Sequence, residues 1–268
     1  MENDDATRCL RRRATPFGIV FSALGLRQFR AIKKEKDNGS MIMNAVDAEE
    51  RRPRVVLPLY TLSEEIVNAI THGIGTLLAI AALVLLIVRS ATRAPAGQTA
   101  GYVVGYTIFG VTLVTLYLFS TLYHSLARCG AKRVFASLDH AAIFLLIAGT
   151  YSAFCLGPIS GGQGWWVFGT IWALAIIGIV SFSVYAYKAA RFNLFLYLAM
   201  GWYAVLVAPQ LWDAVPVQSW VFLLLGGVLY TIGCVFFVLH RVRWFHSVWH
   251  LFVLAGSIMH FFALYWAI

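Results

Sequence analysis

His246 and His250, in the run His-Ser-Val-Trp-His, open the last apolar segment of a 268-residue chain. Residues four apart on an α-helix differ by only about 40° in direction, so both imidazoles face one side and can hold one ion. A third imidazole, His124, ends an earlier apolar segment, and a carboxylate, Asp139, opens the segment after it. Ser120 stands four residues before His124, on the same face and about one turn deeper. Three histidines and an acid gathered by a closed helical bundle point to an intramembrane metal site.

The elements that must carry these groups are membrane helices. The chain is 60% hydrophobic and 12% charged, with a mean hydropathy of +0.75, beyond what a soluble domain tolerates on its surface. Apolar stretches of about 20 residues, the length a hydrocarbon core demands, run at roughly 65–88, 101–123, 137–156, 165–187, 193–212, 218–239 and 247–267. The fold class is therefore an all-α membrane protein, a bundle of seven transmembrane helices. Pro209 and Asp213 interrupt the end of the fifth segment, where they break the helix or mark its emergence.

Cation placement predicts a cytoplasmic N-terminus. In that orientation the inside connections carry Arg128, Lys132, Arg133, Lys188, Arg191, Arg241 and Arg243, against Arg89 and Arg93 outside, the bias that places positive loops in the cytoplasm. His124, Asp139, His246 and His250 then share one depth, near the inner face of the cell membrane. The net charge of +9 belongs to the tail and to these loops, where it meets anionic lipid headgroups. Membrane lipids are thus the expected partners, and nucleic acid is not. The four cysteines include no C-x-x-C and force no pair.

Residues 1–60 form a basic lead of different composition. It reads as a disordered tail or as the product of a start codon upstream of a natural beginning at Met41 or Met43. A basic segment lying on the inner leaflet and a poor secretory signal are the other readings. The domain proper spans 61–268 and shows no internal repeat.

Beyond Glu65 the chain has only two acids, Asp139 and Asp213. Asp213 sits beside water in an outer loop. Asp139 is read inside the first turn of a membrane helix, where an unpaired carboxylate costs on the order of 3 kcal/mol, so it needs a partner. Either it complements the helix dipole, paired with Lys132 or Arg133, or it serves the histidines at its depth. Ser120 bonds the carboxylate or a water, or simply bonds back to its own helix. Asn68 and His72 share a face of the first helix, where they orient a ligand or Asp139, or glue helices together. His140, His240 and His260 lack a partner at a suitable spacing; His260 lies roughly 15 Å along the helix from His250.

Together these residues resemble a known family. Ser120-x-x-x-His124, Asp139 early in the next helix, His246-x-x-x-His250, and Glu64, Asn68 and Thr71-His72-Gly73 in the first helix are similar to the bacterial hemolysin III branch of the progestin and adipoQ receptor family, over about residues 60–268. The resemblance implies a seven-helix bundle binding zinc through His124, His246 and His250 near the inner face, with Asp139 and Ser120 beside a metal-bound water. The wider superfamily includes alkaline ceramidases and hormone receptors. Substrate does not carry over.

Three readings follow. In the first, the protein is a zinc hydrolase cutting a lipid amide or ester: three neutral imidazoles leave an open fourth position, which brings the pKa of bound water to about 7. Asp139 moves the proton, Ser120 orients the reacting group, and the bundle encloses an apolar chamber for an acyl chain. In the second, zinc is structural in a sensor of membrane state, and Asp139 closes the site as fourth ligand. The third, a lytic pore, needs a polar stripe that the almost uncharged third to sixth helices do not supply.

Overall fold

The computed structural model of the protein describes residues 60–127, 130–185 and 190–268; the tail through residue 59, with its alternative readings, lies outside them. The described chain is helical: α1 Leu62–Arg93, α2 Thr99–Ser125, α3 Gly130–Leu156, α4 Gly162–Tyr185, α5 Ala190–Trp202, α6 Ala208–Trp212, α7 Val217–Val238 and α8 Phe245–Trp266. Helices α1 to α5 each pack against the next, α7 packs against α8, and α8 returns to α1, which closes the bundle.

Six of these helices are long and apolar enough to cross a membrane, α1 to α4, α7 and α8. The expected fifth span is a broken helix instead. α5 has 13 residues, about 20 Å against a hydrocarbon core of about 30 Å, and is followed by a 3₁₀ turn at Tyr203–Val205 and the short α6. Pro209 occupies the first turn of α6; it has no N–H to give Val205 and its ring would strike that carbonyl, so α-helix cannot run through. The carbonyls left over at the end of α5 are met by a neighbour: the Tyr151 hydroxyl donates to Met200 O at 2.8 Å and Gly201 O at 3.1 Å. Such capture by other helices is what allows a break at membrane depth.

The third helix also starts earlier than expected. α3 begins at Gly130, so Asp139 is not in its first turn but about 14 Å along it. The helix-dipole account of Asp139 falls with that position, because the dipole acts within the first turn.

α1 shows how sequence places polarity. Its buried stripe is Glu64, Asn68, His72, Gly75, Ala79, Ala82, Leu86 and Ser90, spaced three or four apart, while Ile70, Leu77 and Val84 are exposed on the outside. The stripe carries its acid, amide and imidazole in its first three members and only small or apolar residues from there to Leu86, so its ionisable groups gather at one end of the helix. Gly75 makes room for α2: a Cβ there would lie 2.6 Å from the Tyr117 ring. Tyr117 in turn donates to Ser257 Oγ of α8 at 2.8 Å, and Tyr230 of α7 shares that hydroxyl at 2.8 Å.

Topology gives a direct test. A reporter fused after Arg191 or Arg243 is expected to read as cytoplasmic and one in Gly161-Gly162-Gln163 as external; finding both on one side overturns an odd number of crossings despite the broken fifth segment.

Candidate metal centre

Local structure sets the three histidines. His124 lies in the last turn of α2, and His246 and His250 begin α8. The entry to α8 has no side-chain cap; Trp244, at φ 67°, turns the chain through the left-handed region, which costs a bulky residue on the order of 1 kcal/mol. Its N–H donates to Glu64 Oε1 at 2.8 Å. The other Glu64 oxygen closes a capping box with Thr61 at the start of α1. One carboxylate thus ties the start of α1 to the start of α8, next to His246.

The three imidazoles converge, and all three residues are buried. His246 Nε2 is 3.4 Å from His124 Nε2 and 3.1 Å from His250 Nε2. Two imidazoles on one tetrahedral zinc, with Zn–N of about 2.0–2.1 Å, stand about 3.3 Å apart at their nitrogens. The spacing fits a shared ion, and among the described residues these three form a group that could hold one, with ligand atoms within 4.8 Å of one another. Asp139 is not part of that group.

Asp139 of α3 and Ser120 of α2 come together between adjacent helices. The serine hydroxyl approaches the carboxylate; its Oγ is buried and, among the described residues, bonds to no carbonyl of its own helix, so the back-bonded alternative does not hold. The expected Lys132 partner of Asp139 is engaged elsewhere. Lys132 Nζ pairs with Glu65 Oε1 at 2.8 Å, and Glu65 Oε2 meets His124 Nδ1 at 2.7 Å.

Sequence reasoning missed Glu65 and Lys132. The available signal was that Glu65, Asn68 and His72 are spaced three and four apart, one stripe that the Glu64-based motif hid. His72 and Asn68 do reach the centre. The His72 ring stacks on His250 with centroids 3.7 Å apart and meets Tyr117 edge-on at 5.0 Å, and Asn68 Oδ1 accepts from Ser247 at 2.6 Å. Tyr60 stacks on His246 at 4.7 Å. His260 stays apart and packs its ring against Gly226 of α7; Cys155 and Cys234 are free thiols.

Below the centre lies a cavity of about 380 Å³ between α3, α5, α7 and α8, within the roughly 300–1,000 Å³ range of small-molecule sites. Its wall is overwhelmingly apolar. Leu116, Ile143 and Val253 line it, each one turn deeper in its helix than Ser120, Asp139 and His250 respectively, so the cavity begins where the polar centre ends.

The sequence matches the model of the family described as Haemolysin-III related over residues 60–261. It is 42% identical to Hemolysin-3 of Bacillus cereus over 201 residues, 75% of this chain and 90% of that protein. It is 41% identical to the Hemolysin-3 homolog of Bacillus subtilis (strain 168) over 204 residues, 76% of this chain and 94% of that protein. A more distant similarity, 30% over 168 residues, 59% of this chain and 68% of the other, is to the human monocyte to macrophage differentiation factor. No solved structure matches. A match that runs from the start of α1 well into α8 and takes in every histidine of the buried cluster makes this chain a multi-pass membrane protein of the Haemolysin-III related family.

Proposed function

We propose that the protein is a zinc-dependent hydrolase acting on an amide or ester bond of a membrane lipid. The observation that carries this reading is a cluster of three buried imidazoles without a fourth side-chain donor among the described residues, at the end of an apolar cavity, with a serine–carboxylate pair, Ser120 and Asp139, whose serine is one helical turn from His124. His124, His246 and His250 would hold the ion; their nitrogen set suits zinc, with a coordination position left open. Zinc bound there supplies a Lewis acid that polarises a carbonyl and acidifies water. Asp139 is the base that takes a proton from the attacking water and returns it to the leaving group. Ser120 Oγ, lacking another partner, orients Asp139 or donates to the carbonyl oxygen as charge develops on it. The cavity wall receives an acyl chain and excludes water from the bond being cut.

Two features weigh against the other readings. A structural zinc would be closed by a fourth protein ligand, and Asp139 stands outside the ligand group. A pore needs polar residues along its length, whereas α4 and α7 contain no charged residue. The name hemolysin describes the bacterial relatives and does not by itself assign lysis here.

The test is a screen of purified protein in lipid micelles against ceramides, N-acyl lipids and glycerolipids, with fatty acid release as the readout. Turnover that stops on chelation and returns with zinc supports the hydrolase. A protein that holds stoichiometric zinc and releases fatty acid from none of them belongs to the sensor reading instead.

A further inference from the structure

We infer that Glu65 and Lys132 are a positioning pair for the metal centre: Glu65 fixes the ring of His124 so that Nε2 faces the ion, and Lys132 fixes Glu65. The inference deepens the proposed function and rests on the three histidines binding a metal, not on lipid hydrolysis.

A neutral imidazole carries one proton on one of two nitrogens, and the other nitrogen is the one that can ligate. An ionised carboxylate only accepts hydrogen bonds. With Glu65 Oε2 at 2.7 Å from His124 Nδ1, the proton belongs on Nδ1 and the lone pair on Nε2, the atom that faces His246 Nε2 at 3.4 Å. The opposite tautomer would set a lone pair against the carboxylate and aim a proton at the ion. A charged acceptor on the far nitrogen also makes the ring a stronger ligand. Among the described residues neither His246 nor His250 is paired with a carboxylate; the Asn68 backbone lies against His250, and Tyr60 and His72 stack on His246 and His250. His124 is therefore the ring whose direction an acid sets.

Lys132 supplies what Glu65 needs at this depth. The lysine is itself 2% exposed, and a buried charge of either sign is tolerated only with partners. Its ammonium meets Glu65 Oε1 at 2.8 Å and Leu126 O at 3.2 Å, and sits over the Tyr123 ring at 4.8 Å. Leu126 is the residue that caps α2 immediately after the His124 turn. The same ammonium thus holds both the carboxylate and the helix end that carries the histidine. α1 contributes the acid, α2 the ligand and α3 the cation, so the pair sets the register of three helices at the ion. Lys132 and Asp139 are seven residues apart on α3 and share a face.

The test uses the full chain in lipid nanodiscs, with zinc affinity read by competition against a chromophoric chelator and cobalt(II) absorption as the geometric probe. Glu65→Gln is expected to weaken zinc by about 10–100-fold, the usual effect of removing such a support. Lys132→Met is expected to weaken it less, and Lys132→Arg to restore affinity to near wild type. Because Lys132 acts in large part through Glu65, the double variant E65Q/K132M is expected to lose clearly less than the product of the two single effects. Unfolding temperature of the metal-free protein checks that the variants fold. Unchanged affinity in Glu65→Gln, or two effects that simply multiply, overturns the pair. So does a loss of affinity that tracks loss of the metal-free fold in both the Met and Arg variants. If the wild-type chain itself takes neither zinc nor cobalt, the metal centre falls and the pair falls with it. If wild type binds and Glu65→Gln binds equally well, only the pair falls.

Discussion

Replacing His124, His246 or His250 by Ala is expected to empty the metal centre, each variant losing zinc affinity by about 100-fold or more. Zinc held by four protein ligands is worth roughly 10–16 kcal/mol, about 3 kcal/mol for each, and 1.4 kcal/mol is tenfold in affinity. Here three side chains are gathered among the described residues, so each one removed takes a larger share. The loss should be visible as metal content below stoichiometry after purification. It should also lower the unfolding temperature, because an ion held by these histidines would join α2 to α8 and metal that binds only the folded state stabilises it. His260→Ala is the control: its ring packs against Gly226 of α7, far along the helix from His250, and it is expected to keep zinc. Zinc retained in all three cluster variants would show that the histidines merely pack; zinc lost from the His260 variant would place the site elsewhere.

Asp139→Asn is expected to separate chemistry from binding. The amide keeps the size of the carboxyl group but cannot take a proton, and removing a general base typically costs about 10²–10⁴-fold in rate. Lipid turnover should collapse by that factor while zinc content stays at the wild-type level. Ser120→Ala is the smaller companion, since it removes the hydroxyl that faces the carboxylate. Should Asp139→Asn lose zinc as readily as the histidine variants, the carboxylate is a ligand and the site is closed. The sensor reading then replaces the hydrolase.

Most of the bundle was legible because membrane helices announce themselves through apolar length, and their ends through the polar residues that bound them. The fifth segment shows the limit. Pro209 was visible as an interruption, but how far back the helix stops depends on which neighbour can take the freed carbonyls, and Tyr151 lies on α3, about 50 residues earlier. The start of α3 is displaced for a related reason: hydropathy marks where a helix becomes apolar, whereas α3 begins with Gly-Ala-Lys-Arg, a turn with two cations of which Lys132 is buried in the bundle.

What the sequence by itself determined is the part of the site carried by single helices. His246 and His250 face together, and Ser120 shares a face with His124, because the α-helical period fixes directions within a helix and apolar length fixes depth. Only the tertiary structure decided which face of α1 turns inward against α2 and α8, and so which acid serves His124. Two neighbouring glutamates, Glu64 and Glu65, differ by about 100° around the same helix; one goes to Trp244 and the other to His124 and Lys132. Packing rotates each helix to a few degrees on contacts such as Tyr117 against Gly75, and no local period encodes that angle.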